Sequence, residues 1–367
     1  YPYPVAISVH AASIGMEYPM ICFNFGRPNE DGSYSDATKW RMISVIIHEV
    51  GHFFIPMIIN SDERQWTWMD EGLNTFVQSL TQREYYSDGP LRRGTAESMV
   101  DYMRSPKDML RPIMTNSEQI ASREFGNNAY GKPAAALSVL RETIMGPELF
   151  DYAFKEYSRR WAFKHPDPAD FFRTMEDASA IDLDWFWRGW FYSTDNVDVS
   201  VEGVKWFKMK NVDKPFENKA KVENKDIKGR KNQSDDPKYA MPFEPSEFYF
   251  SKTNKNEYRE FLNEVDDDKI KIQNSEKNFY EVTFKNKGGL VTPLIIEWTY
   301  EDGSVEIEKL PAEIWRLNET EVSKVFAKDK VVKNIKLDPK KETADVNLSD
   351  NNFPRLEIKS DFEKFRN

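Results

Sequence analysis

Two histidines and a glutamate stand out in a segment that is otherwise apolar. His48, Glu49 and His52 lie in the run MISVIIHEVGHFFIPMII, where ionisable side chains are costly to bury unless they are paired or bind a metal. In a helix, residues four apart share a face, so His48 and His52 would project together, with Glu49 beside them. Two imidazoles and a neighbouring carboxylate predict a divalent metal ion, with the carboxylate facing the water that the ion binds.

A catalytic metal of this kind needs a third protein ligand and one open position, and a ligand set without sulfur favours zinc. Glu71 follows in WMDEGLNTF, and the spacing lets the first helix end and a second helix pack against it. The chain has only 4 His, and a chance H-E-x-x-H has odds of roughly 0.5% in such a composition. We therefore expect one zinc ion per chain, held by His48, His52 and Glu71. Asp70, Asn74 and Thr75 are candidates for hydrogen bonds to these ligands.

Composition narrows the class of protein. The chain has 367 residues, of which 40% are hydrophobic and 14% aromatic, enough for a sizeable core in two or three domains. A net charge of −10 argues against a nucleic-acid partner. No apolar run approaches the roughly 18 residues that would cross a bilayer, so we expect a soluble chain of undetermined compartment. The single cysteine, Cys22, excludes a disulfide framework and a multi-cysteine metal site.

The elements that must position the metal ligands are mostly helices. After a short strand in VAISVHA, the pattern predicts one helix over 38–55, which Pro56 should end or kink. A second helix is predicted from 68–70 to about 85. Further helices are predicted at about 95–104, 133–145, 148–161, 168–178 and 183–192.

The composition changes after Asp195. VDVSVEGV alternates like a strand, residues 211–238 are charged and predict a flexible linker, and 256–265 could form a short helix. From 279 onward YEVTFK, PLIIEWTY, SVEIEKL and VVKNIKL predict strands, with an Asp302-Gly303 turn closing a hairpin. We therefore predict an α+β chain of three segments: a mostly helical catalytic domain with a short β start (1–195), a strand with a charged linker and short helix (196–278), and a small C-terminal β-sandwich (279–367).

The motifs resemble those of a known family. His48-Glu49-x-x-His52 followed by Glu71 resembles the gluzincin signature of the M1 family of zinc aminopeptidases. GMEYP, at 15–19, resembles that family's G-x-M-E-N exopeptidase motif, and AYGKPAAAL, which contains Tyr130, resembles the segment with its catalytic tyrosine. The resemblance implies that 1–195 has a thermolysin-like fold and that the substrates are peptides with a free N-terminus.

The resemblance also implies roles for single residues. Glu49 would act as general base and Tyr130 would donate its hydroxyl to the oxyanion. Glu17 would pair with the α-ammonium of the substrate, while Gly15 would let the substrate backbone approach and Met16 would line the first side-chain pocket.

Some features depart from the family pattern and leave alternatives open. Tyr18 stands where the family has Asn, and the family's N-terminal β domain precedes this motif, which here begins near the first residue. We therefore expect a C-terminal portion of a longer enzyme, whose partner is its own missing N-terminal domain. Without that domain the substrate site would be incomplete, so this chain could bind zinc and still be inactive. The alternatives are a gluzincin endopeptidase and a non-catalytic peptide-binding fragment, although an intact Glu49 counts against the latter.

Overall fold

The computed structural model describes residues 2–12, 15–209, 241, 246–248 and 276–355, and it divides the chain into two units. The first unit contains the residues up to Asp198, with Gly288–Pro293 and Lys340–Val346. The second contains Val199–Lys287, Leu294–Pro339 and the residues from Asn347 onward. Helices predominate in the first unit and strands in the second, so the chain is a mixture of helix and sheet, as predicted.

A small sheet begins the first unit. Strand β1 (Ile7–His10) runs parallel to β3 (Ile21–Asn24), and β2 (Met16–Tyr18) pairs antiparallel with the other side of β3. The sequence predicted only the first of these strands. Because β3 lies in the middle, β2 is an edge strand whose outer side is free to face the site described below.

Helix α1 (Asp36–Gly51) carries the first metal-ligand candidates. It begins at Ser35, whose hydroxyl accepts a hydrogen bond from the backbone N–H of Thr38. The prediction that the helix continues to Ile55 is wrong, because regular helix ends at Gly51. Pro56 disfavours helical backbone before it, and irregular turns replace the last helical turn. His52 caps the helix with helical backbone angles, and its N–H donates to the His48 carbonyl, so the four-residue spacing still holds.

Helix α2 (Leu73–Tyr85) follows a single π-helical turn, Trp68–Gly72, and packs on α1. The predicted second helix is therefore confirmed in position, although its first turn is wider than an α-helical turn. The two helices approach closely at Gly51, where an added methyl group would overlap the Asn74 side chain. Glycine at this position lets α1 and α2 come together.

The remaining regular elements of the first unit are helices. Its helices are α3 (Val100–Met103), α4 (Ser122–Phe125), α5 (Lys132–Val139), α6 (Pro147–Trp161), α7 (Pro168–Ser179) and α8 (Asp184–Tyr192). All five predicted helical segments are found, with π-helical turns at Gly126–Gly131 and Leu140–Met145 on either side of α5. Buried rings form the core under α2: Trp68 stacks on Phe172, and Phe171 meets Trp187 edge to face.

The second unit contains two four-stranded sheets. The first has the order β5 (Ser246–Phe248), β4 (Val199–Met209), β6 (Asn278–Asn286), β9 (Glu321–Lys328). The second has the order β11 (Asn352–Phe353), β10 (Val332–Leu337), β7 (Leu294–Tyr300), β8 (Val305–Leu310). The predicted hairpin is present, with β7 and β8 antiparallel around Gly303 at φ +80°. Strands β9 and β11 were not predicted.

Side chains from the two sheets meet in a shared core. Trp298 of β7 lies edge to face with Phe326 of β9, 4.8 Å between ring centroids, and also contacts Tyr280 of β6. These ring contacts support the predicted β-sandwich. Its predicted bounds, 279–367, stay a prediction. The predicted linker at 211–238 and the predicted helix at 256–265 lie outside the described residues. In the part of the chain that the structure describes, no helix is both long and apolar enough to span a bilayer.

Candidate metal centre

Three side chains from α1 and the π-helical turn converge on one point. His48 Nε2 lies 3.0 Å from Glu71 Oε2, and His52 Nε2 lies 3.1 Å from His48 Nε2 and 3.4 Å from Glu71 Oε2. Ligands about 2.0–2.1 Å from a tetrahedral zinc ion are about 3.3 Å from one another. The three atoms therefore already have the mutual spacing that one small divalent ion requires.

The hydrogen bonds of His52 define which ring nitrogen carries its proton. His52 Nδ1 lies 2.9 Å from the Ile55 carbonyl oxygen and 2.9 Å from Asp70 Oδ1. The Ile55 carbonyl oxygen can only accept a hydrogen bond, so Nδ1 must be the donor and the lone pair of Nε2 faces the metal position, while the Asp70 carboxylate lies at ion-pair distance from the same nitrogen. Burial disfavours charge on this ring, but Asp70 and Glu71 outweigh it and raise the pKa of His52 to about 11 in the metal-free site, where a second proton takes the place that a metal ion would fill.

His48 is oriented in the same way by a partner on α2. Its Nδ1 lies 2.9 Å from Gln78 Oε1, and the Gln78 amide nitrogen donates to the Ser44 hydroxyl (2.8 Å) and carbonyl (3.1 Å). These bonds fix the amide with its oxygen toward His48, so His48 Nδ1 carries the proton. Two imidazole lone pairs then face each other at 3.1 Å, an arrangement that requires positive charge between them. The donor set therefore fits a zinc ion, with His48, His52 and Glu71 as the residues that would hold it.

Glu49 lies beside the ligands with one oxygen unsatisfied. Its side chain is buried, and within the described residues its Oε2 has no hydrogen-bond partner. Burial, with the nearby charges of Glu17 and Glu71, raises the pKa of Glu49 to about 8, although His52 opposes the shift. Gly15 contacts this carboxylate directly, because a methyl group there would overlap Glu49 Oε1. The structure thus gives Gly15 a second role besides the predicted one, which is to make room for Glu49.

Glu17 lies on the edge strand β2 and faces the same point. It is in hydrogen-bonding contact with Glu49, and a carboxylate oxygen of Glu17 lies within 4.8 Å of ligand atoms of His52 and Asp70. Met16 precedes it on β2 and is half-exposed at the cavity wall. An acidic group therefore lies next to the metal position without being one of the three convergent ligands.

Tyr130 approaches from the π-helical turn Gly126–Gly131. Its hydroxyl donates to Glu71 Oε1 at 2.5 Å, and its ring stacks on His48 with 5.7 Å between centroids. Burial and the Glu71 charge raise the pKa of Tyr130, so the phenol keeps its proton and can act as a donor. The guanidinium of Arg93 also lies over the Tyr130 ring, 4.7 Å from its centroid.

One cavity of about 1180 Å³ contains all of these groups. The structure brings together every site residue that the sequence predicted, and all of them line this cavity: Gly15, Met16, Glu17, His48, Glu49, His52, Glu71 and Tyr130. Of the three candidates for supporting bonds, Asp70 contacts His52, and Asn74 donates to the His48 carbonyl at 2.8 Å. Thr75 has no partner for its hydroxyl within the described residues.

Sequence reasoning missed Gln78 and Arg93. A signal for Gln78 was present, because Asn74, Gln78 and Gln82 follow one another at four-residue spacing on α2. Four-residue spacing aligns them on one helix face, and polar groups on a face packed against another helix must find partners there. Arg93 lies between regular elements, where no periodicity points to it.

Comparisons with known proteins agree with this geometry. Residues 13–190 match the peptidase family M1 domain. Glutamyl aminopeptidase of Homo sapiens is 25% identical over 183 residues, which cover 48% of this chain and 19% of the relative. The probable aminopeptidase 2 of Sulfurisphaera tokodaii is 26% identical over 183 residues, covering 48% of this chain and 23% of the relative. The chain thus spans about a fifth of the length of these relatives.

A solved structure shares the fold over nearly the whole chain. The crystal structure of Legionella pneumophila aminopeptidase A in complex with aspartic acid superimposes with a TM-score of 0.52 and 12% sequence identity. The match covers 97% of this chain and 32% of that chain. At this identity the likeness shows the fold alone.

Proposed function

We propose that the chain is a zinc-dependent aminopeptidase that hydrolyses N-terminal residues from peptides, because residues 13–190 match the peptidase family M1 domain. The observation that carries this proposal is the position of Glu17. Its carboxylate lies within 4.8 Å of the His52 and Asp70 ligand atoms, in the cavity that holds the three convergent ligands. A carboxylate in that place can hold a substrate's ammonium group one residue away from the bond to be cut.

A bound zinc ion would lower the pKa of a water molecule and polarise the scissile carbonyl. Glu49 would accept a proton from the attacking water on a carboxylate oxygen and pass it to the leaving amine. The unsatisfied Oε2 of Glu49 supports this role, because a buried carboxylate oxygen without a partner among the described residues is available to accept a proton.

Tyr130 supplies a hydrogen bond to the developing oxyanion. Its hydroxyl lies one hydrogen bond from a ligand carboxylate, so a small rotation would direct it to a carbonyl oxygen beside the metal. The ring contacts both His48 and Arg93, and these contacts favour turning of the O–H bond over movement of the whole side chain.

The endopeptidase alternative is disfavoured by Glu17. A site that cuts within chains must let peptide backbone pass on both sides of the metal, whereas the Glu17 carboxyl group lies where the residue before the cleaved one would be. The charge is matched when the substrate has an ammonium group at this position. Substrates with an acetylated amine should therefore lose at least tenfold in kcat/KM relative to the free amine.

The test uses the full chain loaded with zinc and a panel of amino-acid amides. In Glu49→Gln we expect kcat to fall by roughly 10²–10⁴-fold while zinc content is unchanged. Glu118→Gln is the matched control, because Glu118 lines the same cavity but pairs with Arg64. Wild-type kcat in Glu49→Gln would refute the assigned base, and equal cleavage of acetylated and free substrates would support an endopeptidase instead.

A further inference from the structure

Three arginines in the cavity have no acidic partner. Arg41, Arg92 and Arg93 are exposed to the cavity, and among the described residues no carboxylate lies within 4.0 Å of their guanidinium groups. Arg64, in the same cavity, differs because its Nε pairs with Glu118 Oε1 at 2.8 Å. Arginines directed into a cavity without a counter-charge are suited to bind an anionic group of a ligand.

Arg41 and Arg92 lie toward one end of the cavity, whereas the Arg93 guanidinium lies over the Tyr130 ring beside the metal ligands. Arg41 precedes His48 by seven residues on α1, which places it on the same face about 10 Å along the helix axis. A methyl group at Gly89 would overlap the Trp40 ring, so the segment leading to Arg92 reaches the same part of α1. We call Arg41 and Arg92 the arginine end.

The opposite end of the cavity is acidic. Glu17 is grouped with His52 and Asp70, at the C-terminal end of α1, and Glu63 lies close enough to feel the Glu17 charge. The metal ligands lie between the two ends. A peptide whose ammonium group is at Glu17 and whose first peptide bond is at the metal can therefore continue toward the arginine end.

The Arg93 guanidinium, between the arginine end and Tyr130 in the chain, is only partly stabilised by its surroundings. Burial lowers the pKa of Arg93, and the neighbouring Arg92 adds repulsion, while Tyr130 and Glu71 oppose the shift. The Tyr130 ring provides one favourable contact for the guanidinium. A carboxylate bound in two-point contact would offset the remaining desolvation.

We propose that the arginine end binds a carboxylate of the peptide substrate two or three residues beyond its N-terminus, which makes the site selective for short peptides or for an acidic residue there. The distance supports this spacing, since about 10 Å corresponds to about three residues of extended chain. The proposal rests on the proposed function for the orientation of the peptide. The carboxylate can be the free C-terminus of a tripeptide or the side chain of Asp or Glu.

The test measures binding rather than turnover. The full chain with Glu49→Gln is loaded with zinc and titrated calorimetrically with Ala-Ala-Ala as the free acid and as the C-terminal amide. A second pair, Ala-Ala-Glu amide and Ala-Ala-Gln amide, isolates a side-chain carboxylate. We expect the carboxylate-bearing member of at least one pair to bind tenfold or more tightly, and the pair that shows the preference identifies the source.

Arginine variants separate this contact from a carboxylate bound directly to the metal. Arg41→Met and Arg92→Met should each reduce the acid-over-amide ratio at least threefold, whereas Arg64→Met should leave it unchanged. Equal affinities within both pairs, a ratio that survives the arginine substitutions, or no binding by any of the four peptides would overturn the proposal. Hydrolysis of alanine amide by the unaltered chain is measured separately, so an inactive chain that keeps the acid preference refutes the peptidase function alone.

Discussion

Replacing Gly15 by alanine should disable the proposed base without removing the metal. The added Cβ would overlap Glu49 Oε1 and lie 2.8 Å from Val45 Cγ2, whereas ordinary contact begins at 3.4 Å. The contact with Val45 is 0.6 Å too short, and the contact with Glu49 Oε1 is shorter still. The Glu49 carboxylate must therefore move by more than 0.6 Å to accommodate the methyl group. A displacement near 1 Å at a catalytic group lowers the rate by about 10²-fold.

The assay compares kcat on an amino-acid amide with zinc content and thermal unfolding. We expect Gly15→Ala to lose about 10²-fold in kcat with zinc content unchanged, because none of the three ligand atoms contacts Gly15. Gly203→Ala is the matched control, since a methyl group there meets nothing within 4 Å. A wild-type kcat would show that Gly15 does not position Glu49, and loss of zinc would show that the clash propagates into the metal ligands.

Three further predictions concern metal binding, pH and core packing. Gln78→Leu removes the acceptor for His48 Nδ1 and should weaken zinc binding by 10–100-fold in a chelator competition, whereas Gln119→Leu should not change it. Burial lowers the pKa of Lys132 to about 8 from 10.5, so the charged form opposes folding below pH 8 and this penalty fades as the pH rises to 10.5. Urea unfolding should therefore show Lys132→Met more stable than wild type at pH 7 by up to about 3 kcal/mol, with a smaller difference at pH 10, and a difference independent of pH would contradict the assignment. Phe171→Ala opens a cavity among fully buried rings and should reduce the free energy of unfolding by about 3–5 kcal/mol; a loss below 1 kcal/mol would mean that the core refills the space.

Features fixed by local geometry could be predicted from the sequence. The four-residue spacing of His48 and His52 determines their common face wherever the helix ends, so the convergence of the two rings could be predicted although α1 stops at Gly51 rather than Ile55. The Asp302-Gly303 turn determines the β7–β8 pairing in the same local way. Strand β9 was not predicted because EVSKVFAK has few buried side chains, and its register depends on pairing with β6.

The protonation states of the ligand rings depend on contacts that no local pattern contains. Gln78 lies 30 residues after His48, and it can hold the ring only because α2 packs on α1 with glycine at position 51. A change at Gly51 would therefore act on the metal through the spacing of two helices. In Gly51→Ala the added methyl group displaces Asn74, whose amide holds the His48 carbonyl. Zinc affinity should therefore fall in Gly51→Ala, although none of the residues that would bind the metal or hydrogen-bond to its ligands has been replaced. Unchanged affinity in a folded variant would show that the orientation of the rings does not depend on the spacing of the two helices.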